Sequence, residues 1–118
     1  MARVLIADDD ASVRDLITAT LAMDKHEIEA VGTESEAVLL YRGFAPEVMV
    51  LDVSMGQGGA EAILERIDAT PPGVTCPVLV VTGDAASAVQ HERIVQVLQK
   101  PFGIDTLRQA VSSALSRP

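Results

Sequence analysis

The sequence predicts an α/β protein, a five-stranded parallel sheet with helices on both faces, in the order βαβαβαβαβα. Three observations carry this. Five short runs rich in Val, Ile and Leu recur along 118 residues. The segments between them switch to helical spacing. The runs are near-continuously apolar, as strands covered on both faces are. Right-handed crossovers between parallel neighbours then leave few topologies.

The first strand is "RVLIA" (3–7). It passes into "DDD", after which Val13, Leu16, Ile17, Thr20 and Leu21 form the buried stripe of a helix capped by Asp10. The second strand is "IEAV" (28–31). "TESE" (33–36) is a capping box, with Thr33 as cap and Glu36 reaching back; it opens a helix that carries Ala37, Leu40 and a core Tyr41 and stops near Gly43. "VMVL" (48–51) is the third strand, and Ala60, Ile63, Leu64 and Ile67 stripe the helix after it. "PVLVVT" (77–82) is the fourth strand. The helix after it is the weakest element, since "AASAVQHE" offers only about two turns. "IVQVL" (94–98) is the fifth strand, and Leu107, Ala110, Val111, Ala114 and Leu115 stripe the last helix.

Residues 1–118 make one domain, long enough to bury roughly two-thirds of the surface its unfolded chain exposes. Hydrophobic residues are 48% of the chain, yet Phe44, Phe102 and Tyr41 are its aromatics, so the core is aliphatic. Seventeen acidic against nine basic residues give a formal charge of −8, which argues against nucleic acid and against an anionic membrane surface as partners. No apolar run approaches the ~18 residues of a membrane span, and no signal-peptide pattern opens the chain. The lone Cys76 has no internal disulfide partner, so a cytoplasmic setting is expected. Cys76 is read as a small side chain leading into a strand, and His26 and His91 as satisfied or surface histidines.

Ligands of open α/β sheets bind outside the carboxyl ends of the strands. Asp8, Asp9 and Asp10 follow the first strand, Asp52 ends the third, Thr82 the fourth, and Lys100 follows the fifth. Carboxylates, a hydroxyl and an ammonium therefore converge on one edge. Two carboxylates about 4 Å apart repel by about 4 kcal/mol at an effective dielectric near 20, so this cluster calls for cations. Lys100 supplies one charge. A hard divalent ion with oxygen ligands, as Mg²⁺ prefers, supplies the rest. One carboxylate can then act as a nucleophile toward phosphorus.

These residues resemble the response-regulator receiver domain of two-component signalling, over essentially the whole chain. The matching motifs are "ADDD", "VLDVSM", "GAE", "VVTGD" and "KPF". The resemblance implies a flavodoxin-like, doubly wound (βα)5 fold with strand order 2-1-3-4-5. It implies Asp52 as phosphoacceptor, Asp9 as a direct Mg²⁺ ligand, Asp8 as a ligand through water, and Asp52 and the Ser54 carbonyl as further ligands, with Mn²⁺ an acceptable substitute. Thr82, Gly83 and Lys100 resemble the phosphoryl-binding and switch residues, and the bond before Pro101 is expected to be cis. The expected partners are a histidine kinase or histidine phosphotransfer protein and a downstream target protein or domain. The expected activity is phosphoacceptance with assistance to the domain's own phosphotransfer and dephosphorylation, not conventional enzymology. Both a stand-alone regulator and one receiver of a larger protein fit this reading.

Two positions depart from the family pattern. Gly56 stands where proline is usual, and with Gly58 and Gly59 leaves the loop after Asp52 unusually free. Val97 stands where an aromatic is usual, so signal exit is expected through "TGDAASAV" and the short fourth helix. The alternative function is a small haloacid-dehalogenase-like phosphatase using the Asp8-x-Asp10 motif. It leaves Asp52 without a role. A receiver-like binding module that is not phosphorylated is favoured where one of the acidic or lysine positions is missing, and none is missing. A flavodoxin-type cofactor domain fits least, because no Gly- or Ser/Thr-rich phosphate loop comes after the first strand.

Overall fold

The structure, a computed structural model, describes residues 2–56, 58–69, 76–83 and 91–116. Five parallel strands, β1 (Arg3–Ala7), β2 (Glu27–Val31), β3 (Val48–Asp52), β4 (Val78–Thr82) and β5 (Ile94–Gln99), form one sheet in the order β2-β1-β3-β4-β5. The described helices are α1 (Ala11–Ala22), α2 (Glu34–Phe44), α3 (Gly59–Asp68) and α4 (Ile104–Leu115). The expected helix "AASAVQHE" falls mainly on residues 84–90, outside the described residues.

Alternation along the strands builds two cores. On one face Val4 and Ile6 of β1 pack with Val48, Val50, Leu79 and Val81 against Ile17 and Leu21 of α1 and Leu107 and Val111 of α4. On the other, Leu5, Met49, Leu51 and Val80 pack against Ala37 and Tyr41 of α2 and Ala60, Ile63 and Leu64 of α3. Each of the larger aliphatic side chains contributes about 1.5–3 kcal/mol by leaving water. β3 and β4 are buried throughout, whereas the edge strands β2 and β5 keep Glu27, Glu29, Gln96 and Val97 exposed.

One local expectation needs correction. Leu16, placed on the buried stripe of the first helix, is 51% exposed. At 3.6 residues per turn it lies about 90° from the middle of the face set by Ile17, Thr20 and Leu21. The second helix stops near Gly43, as expected: it ends at Phe44, and Ala45 rather than the glycine takes the left-handed turn with φ 51. Ala45 precedes Pro46, and its carbonyl accepts from Arg3 Nε at 2.9 Å, so a tertiary contact replaces the glycine stop.

Tyr41 is buried, as expected, and its hydroxyl works. It accepts from the Cys76 backbone N–H at 3.2 Å and meets Arg93 Nη1 at 2.7 Å. Arg93 in turn pairs with Asp68 at 2.6 Å, and His91 Nε2 lies 3.0 Å from the same carboxylate. This network pins the start of β5 to α2, α3 and β4, and satisfies His91 without a metal. Burial pushes both the Tyr41 hydroxyl and the Cys76 thiol upward in pKa, so both remain protonated.

Candidate functional site

Parallel register assembles the site. Ala7 pairs with Leu51, so Asp8, the next residue, lies beside Asp52 at the end of β3. Thr82 pairs with Gln99, and the Lys100 N–H donates to the Thr82 carbonyl at 2.7 Å. Four strand ends thus deliver Asp8, Asp52, Thr82 and Lys100 to one edge of the sheet. The Lys100–Pro101 peptide is cis.

Asp8, Asp9 and Asp52 each bring a carboxylate oxygen within 4.8 Å of the others. Asp8 and Asp52 are buried, at 1% and 4% exposure, and Asp9 faces solvent. Lys100 Nζ lies 3.4 Å from Asp8 Oδ2 and 3.8 Å from Asp52 Oδ1. One ammonium therefore answers three carboxylates. Burial pushes the Asp8 carboxyl above the ordinary carboxylate range; Asp52 adds to the rise, while the Asp10 N–H and Lys100 oppose it. An oxygen-only donor set with surplus negative charge is what a hard divalent cation requires.

The rim completes the arrangement. Ser54, in the turn after β3, sets its backbone N–H 3.4 Å from Asp52 Oδ1 and its hydroxyl 3.3 Å from Oδ2. Thr82 is fully buried and Gly83 is exposed beside it. Asp10 is turned elsewhere: its Oδ1 accepts from the Ser12 and Val13 N–H groups at 2.9 and 3.3 Å, capping α1. The loop after Asp52 uses two of its glycines in the left-handed region. Gly56 and Gly59 are held at φ +74 and +72, with Glu34 Oε1 and the Val53 carbonyl each 2.8 Å from where a Cβ would stand. Sequence reading passed over three contributors: the Ser54 side chain, the Asp10 N–H that donates to Asp8 Oδ1 at 2.9 Å, and Arg14, whose guanidinium reaches the Asp8 carbonyl.

Comparison with known proteins accounts for this constellation. The family model described as "Response regulator receiver domain" matches residues 4–112. The chain belongs to that family. It is 34% identical, over 95% of its length, to a protein-glutamate methylesterase/protein-glutamine glutaminase of Bradyrhizobium diazoefficiens, of which it spans 35%. It is 28% identical, over 98% of its length, to the response regulator MprA of Mycolicibacterium vanbaalenii, of which it spans 51%. The chain thus spans about a third to a half of these curated relatives. Among solved structures, a CheY-like receiver domain from Methylobacillus flagellatus superposes with a TM-score of 0.86 at 18% identity, covering 97% of this chain and 98% of that one. NtrX from Brucella abortus superposes at 0.85 and 26% identity, over 97% of this chain and 27% of its own.

The haloacid-dehalogenase alternative is set aside by the same findings. The receiver family model matches residues 4–112, and the Asp10 carboxylate, the second residue of the phosphatase motif, is spent on a helix cap. Among the described residues no helix is long and apolar enough to cross a membrane.

Proposed function

We propose that this domain accepts a phosphoryl group on Asp52 from a histidine kinase or histidine phosphotransfer protein and passes the signal on by changing a surface that a downstream protein or domain reads. The observation that carries this reading is the placement of Asp52: a buried carboxylate at the end of β3, 3.8 Å from Lys100 Nζ and within 4.8 Å of Asp8 and Asp9. A carboxylate oxygen of Asp52 attacks phosphorus in line, the P–N bond to the donor imidazole breaks, and its electron pair stays on that ring. Lys100 and Thr82, the one beside Asp52 and the other at the end of the adjacent strand, would grip the phosphoryl oxygens, with Gly83 leaving the rim open. Asp8, Asp9, Asp52 and the Ser54 carbonyl would hold Mg²⁺, or Mn²⁺ in its place, which supplies charge neutralisation at the transferring phosphoryl group. The residues fit such an ion, because three carboxylates face a single ammonium.

The donor's approach is over an apolar rim. Val13, the exposed Leu16, Pro101 and Phe102 line a groove with Lys100, beside the site entrance. We read the domain, residues 1–118, as a phosphoacceptor that assists its own phosphotransfer in the cytoplasm, without the separate activity that its methylesterase relative's name carries. Incubation with a small-molecule phosphodonor and Mg²⁺, followed by mass spectrometry, tests it. One added phosphate should map to Asp52 and vanish in Asp52→Asn, while Asp10→Asn should still accept it. Phosphate found at Asp8, or retained in Asp52→Asn, overturns the reading.

A further inference from the structure

Asp8 is held from four directions by four different parts of the chain. Its N–H donates to the Val31 carbonyl at 3.1 Å, its Oδ1 accepts from the Asp10 N–H at 2.9 Å, and its Oδ2 faces Lys100 Nζ at 3.4 Å. Its carbonyl lies past the last paired residue of β1, beyond the reach of the ladder. There Arg14, the one basic residue in α1, reaches back and donates Nη1–H to that oxygen at 2.8 Å. The guanidinium lies across Gly32, where an added Cβ would stand 2.7 Å from Nη1 and 3.3 Å from Cζ. Gly32 is not one of the positive-φ glycines, so the backbone makes no demand for glycine there. The missing side chain makes room for Arg14.

We propose that Arg14, seated over Gly32, is a positioning residue for the acidic site. The peptide bond is planar, so fixing the Asp8 carbonyl also fixes the nitrogen and Cα of Asp9, the point from which the Asp9 side chain starts. Arg14 acts through that peptide. Its planar fork suits the task, whereas lysine offers a point charge on a flexible stem. The inference rests on the reading of Asp8, Asp9 and Asp52 as a metal and phosphoryl site.

A purely electrostatic role predicts the opposite sign. A cation held at the Asp8 carbonyl adds repulsion toward an incoming divalent ion, so on charge alone removing it would tighten metal binding. Positioning predicts weakening, of the order of the 10- to 100-fold losses seen when groups that orient metal ligands are removed. Calorimetric titration of the metal-free protein with Mg²⁺ decides between them, with melting in chelator as the check on folding. Arg14→Ala should weaken Mg²⁺ binding about tenfold or more. Arg14→Lys, which keeps the charge, should weaken it too. Gly32→Ala should act in the same direction by pushing the guanidinium aside, and it should fold, because what it displaces is the far end of a long side chain and not backbone. The double variant Arg14→Ala, Gly32→Ala should bind no more weakly than Arg14→Ala alone.

Mg²⁺ affinity unchanged or tightened in Arg14→Ala, or a Gly32→Ala loss that adds in full to that of Arg14→Ala, overturns the proposal while the metal-site reading stands. No Mg²⁺ binding by the unmutated protein overturns both. Should Arg14→Ala fail to fold, Arg14→Lys and Gly32→Ala carry the same test, and normal affinity in both overturns the role.

Discussion

At Asp8 two demands oppose each other: a carboxylate is buried to 1% exposure beside a second one, and the proposed metal site calls for its charge. Burial raises its pKa in the folded state above the unfolded value, so the folded protein holds that proton more tightly. Stability therefore falls as pH rises from the ordinary carboxylate value of 3.8 through the raised one, and is level above it. Asp8→Asn, which keeps an acceptor for the Asp10 N–H, should melt higher than the parent at pH 7 in chelator. The gap should narrow as the pH is lowered toward 4. A gap that is constant with pH, or of opposite sign, removes charge burial from the account. The carboxylates, Thr82 and Lys100 were legible in the sequence, because residues at the carboxyl ends of parallel strands must gather on one edge of the sheet. Arg14 and the Ser54 hydroxyl were not. Their contacts depend on where the first helix sits over the strand ends and how the turn after Asp52 folds back, and no spacing encodes either.

Among the elements, all five strands lie within one residue of where the apolar runs put them, since a buried parallel strand announces itself by composition. Helix faces were less legible at their margins. Leu16 fits the i, i+3, i+4 rule and still faces water, because periodicity marks a stripe without fixing its width. Composition did not show which glycines of the loop between β3 and α3 the backbone needs: Gly56 and Gly59 stand in the left-handed region. An L-residue there costs about 1–2 kcal/mol. At Gly59 an added methyl would also meet the Val53 carbonyl, part of the backbone; at Gly56 it would meet Glu34 Oε1, the end of a side chain that can swing away toward solvent with its Arg66 partner. Gly59→Ala should therefore lose more stability in urea unfolding than Gly56→Ala. Glu34→Ala added to Gly56→Ala should recover part of that variant's loss. Equal losses in the two glycine variants, with no recovery, would mean that the φ angle alone matters at both.

Across the whole molecule, the acidic edge is joined to the rest of the fold through the four strands whose ends form it, β1, β3, β4 and β5. A ligand that binds only the native state adds RT ln(1 + [L]/Kd), about 2.7 kcal/mol at a hundredfold excess, so Mg²⁺ should raise the melting point and Asp9→Ala should abolish the rise. Phosphorylation goes further: it would add about −1.5 to −2 charges and three acceptor oxygens at Asp52, enough to draw the Thr82 hydroxyl inward. Thr82 sits on a strand buried throughout, and its carbonyl holds the Lys100 N–H at 2.7 Å. Val97, opposite Val80 on the edge strand, has no ring to swing between two positions. The outlet we propose is the segment that leaves Thr82 and Gly83 and returns at His91, where Asp68, Arg93 and Tyr41 fasten it. Residues 84–90 between them lie outside the described residues. Amide hydrogen exchange with and without a phosphoryl mimic should change most across residues 82–93, between those two anchors. Thr82→Ala should suppress the change and Val97→Ala should leave it intact. If the change centres on residues 94–99 and disappears in Val97→Ala, strand β5 carries the signal and the route through the β4–β5 connection is wrong.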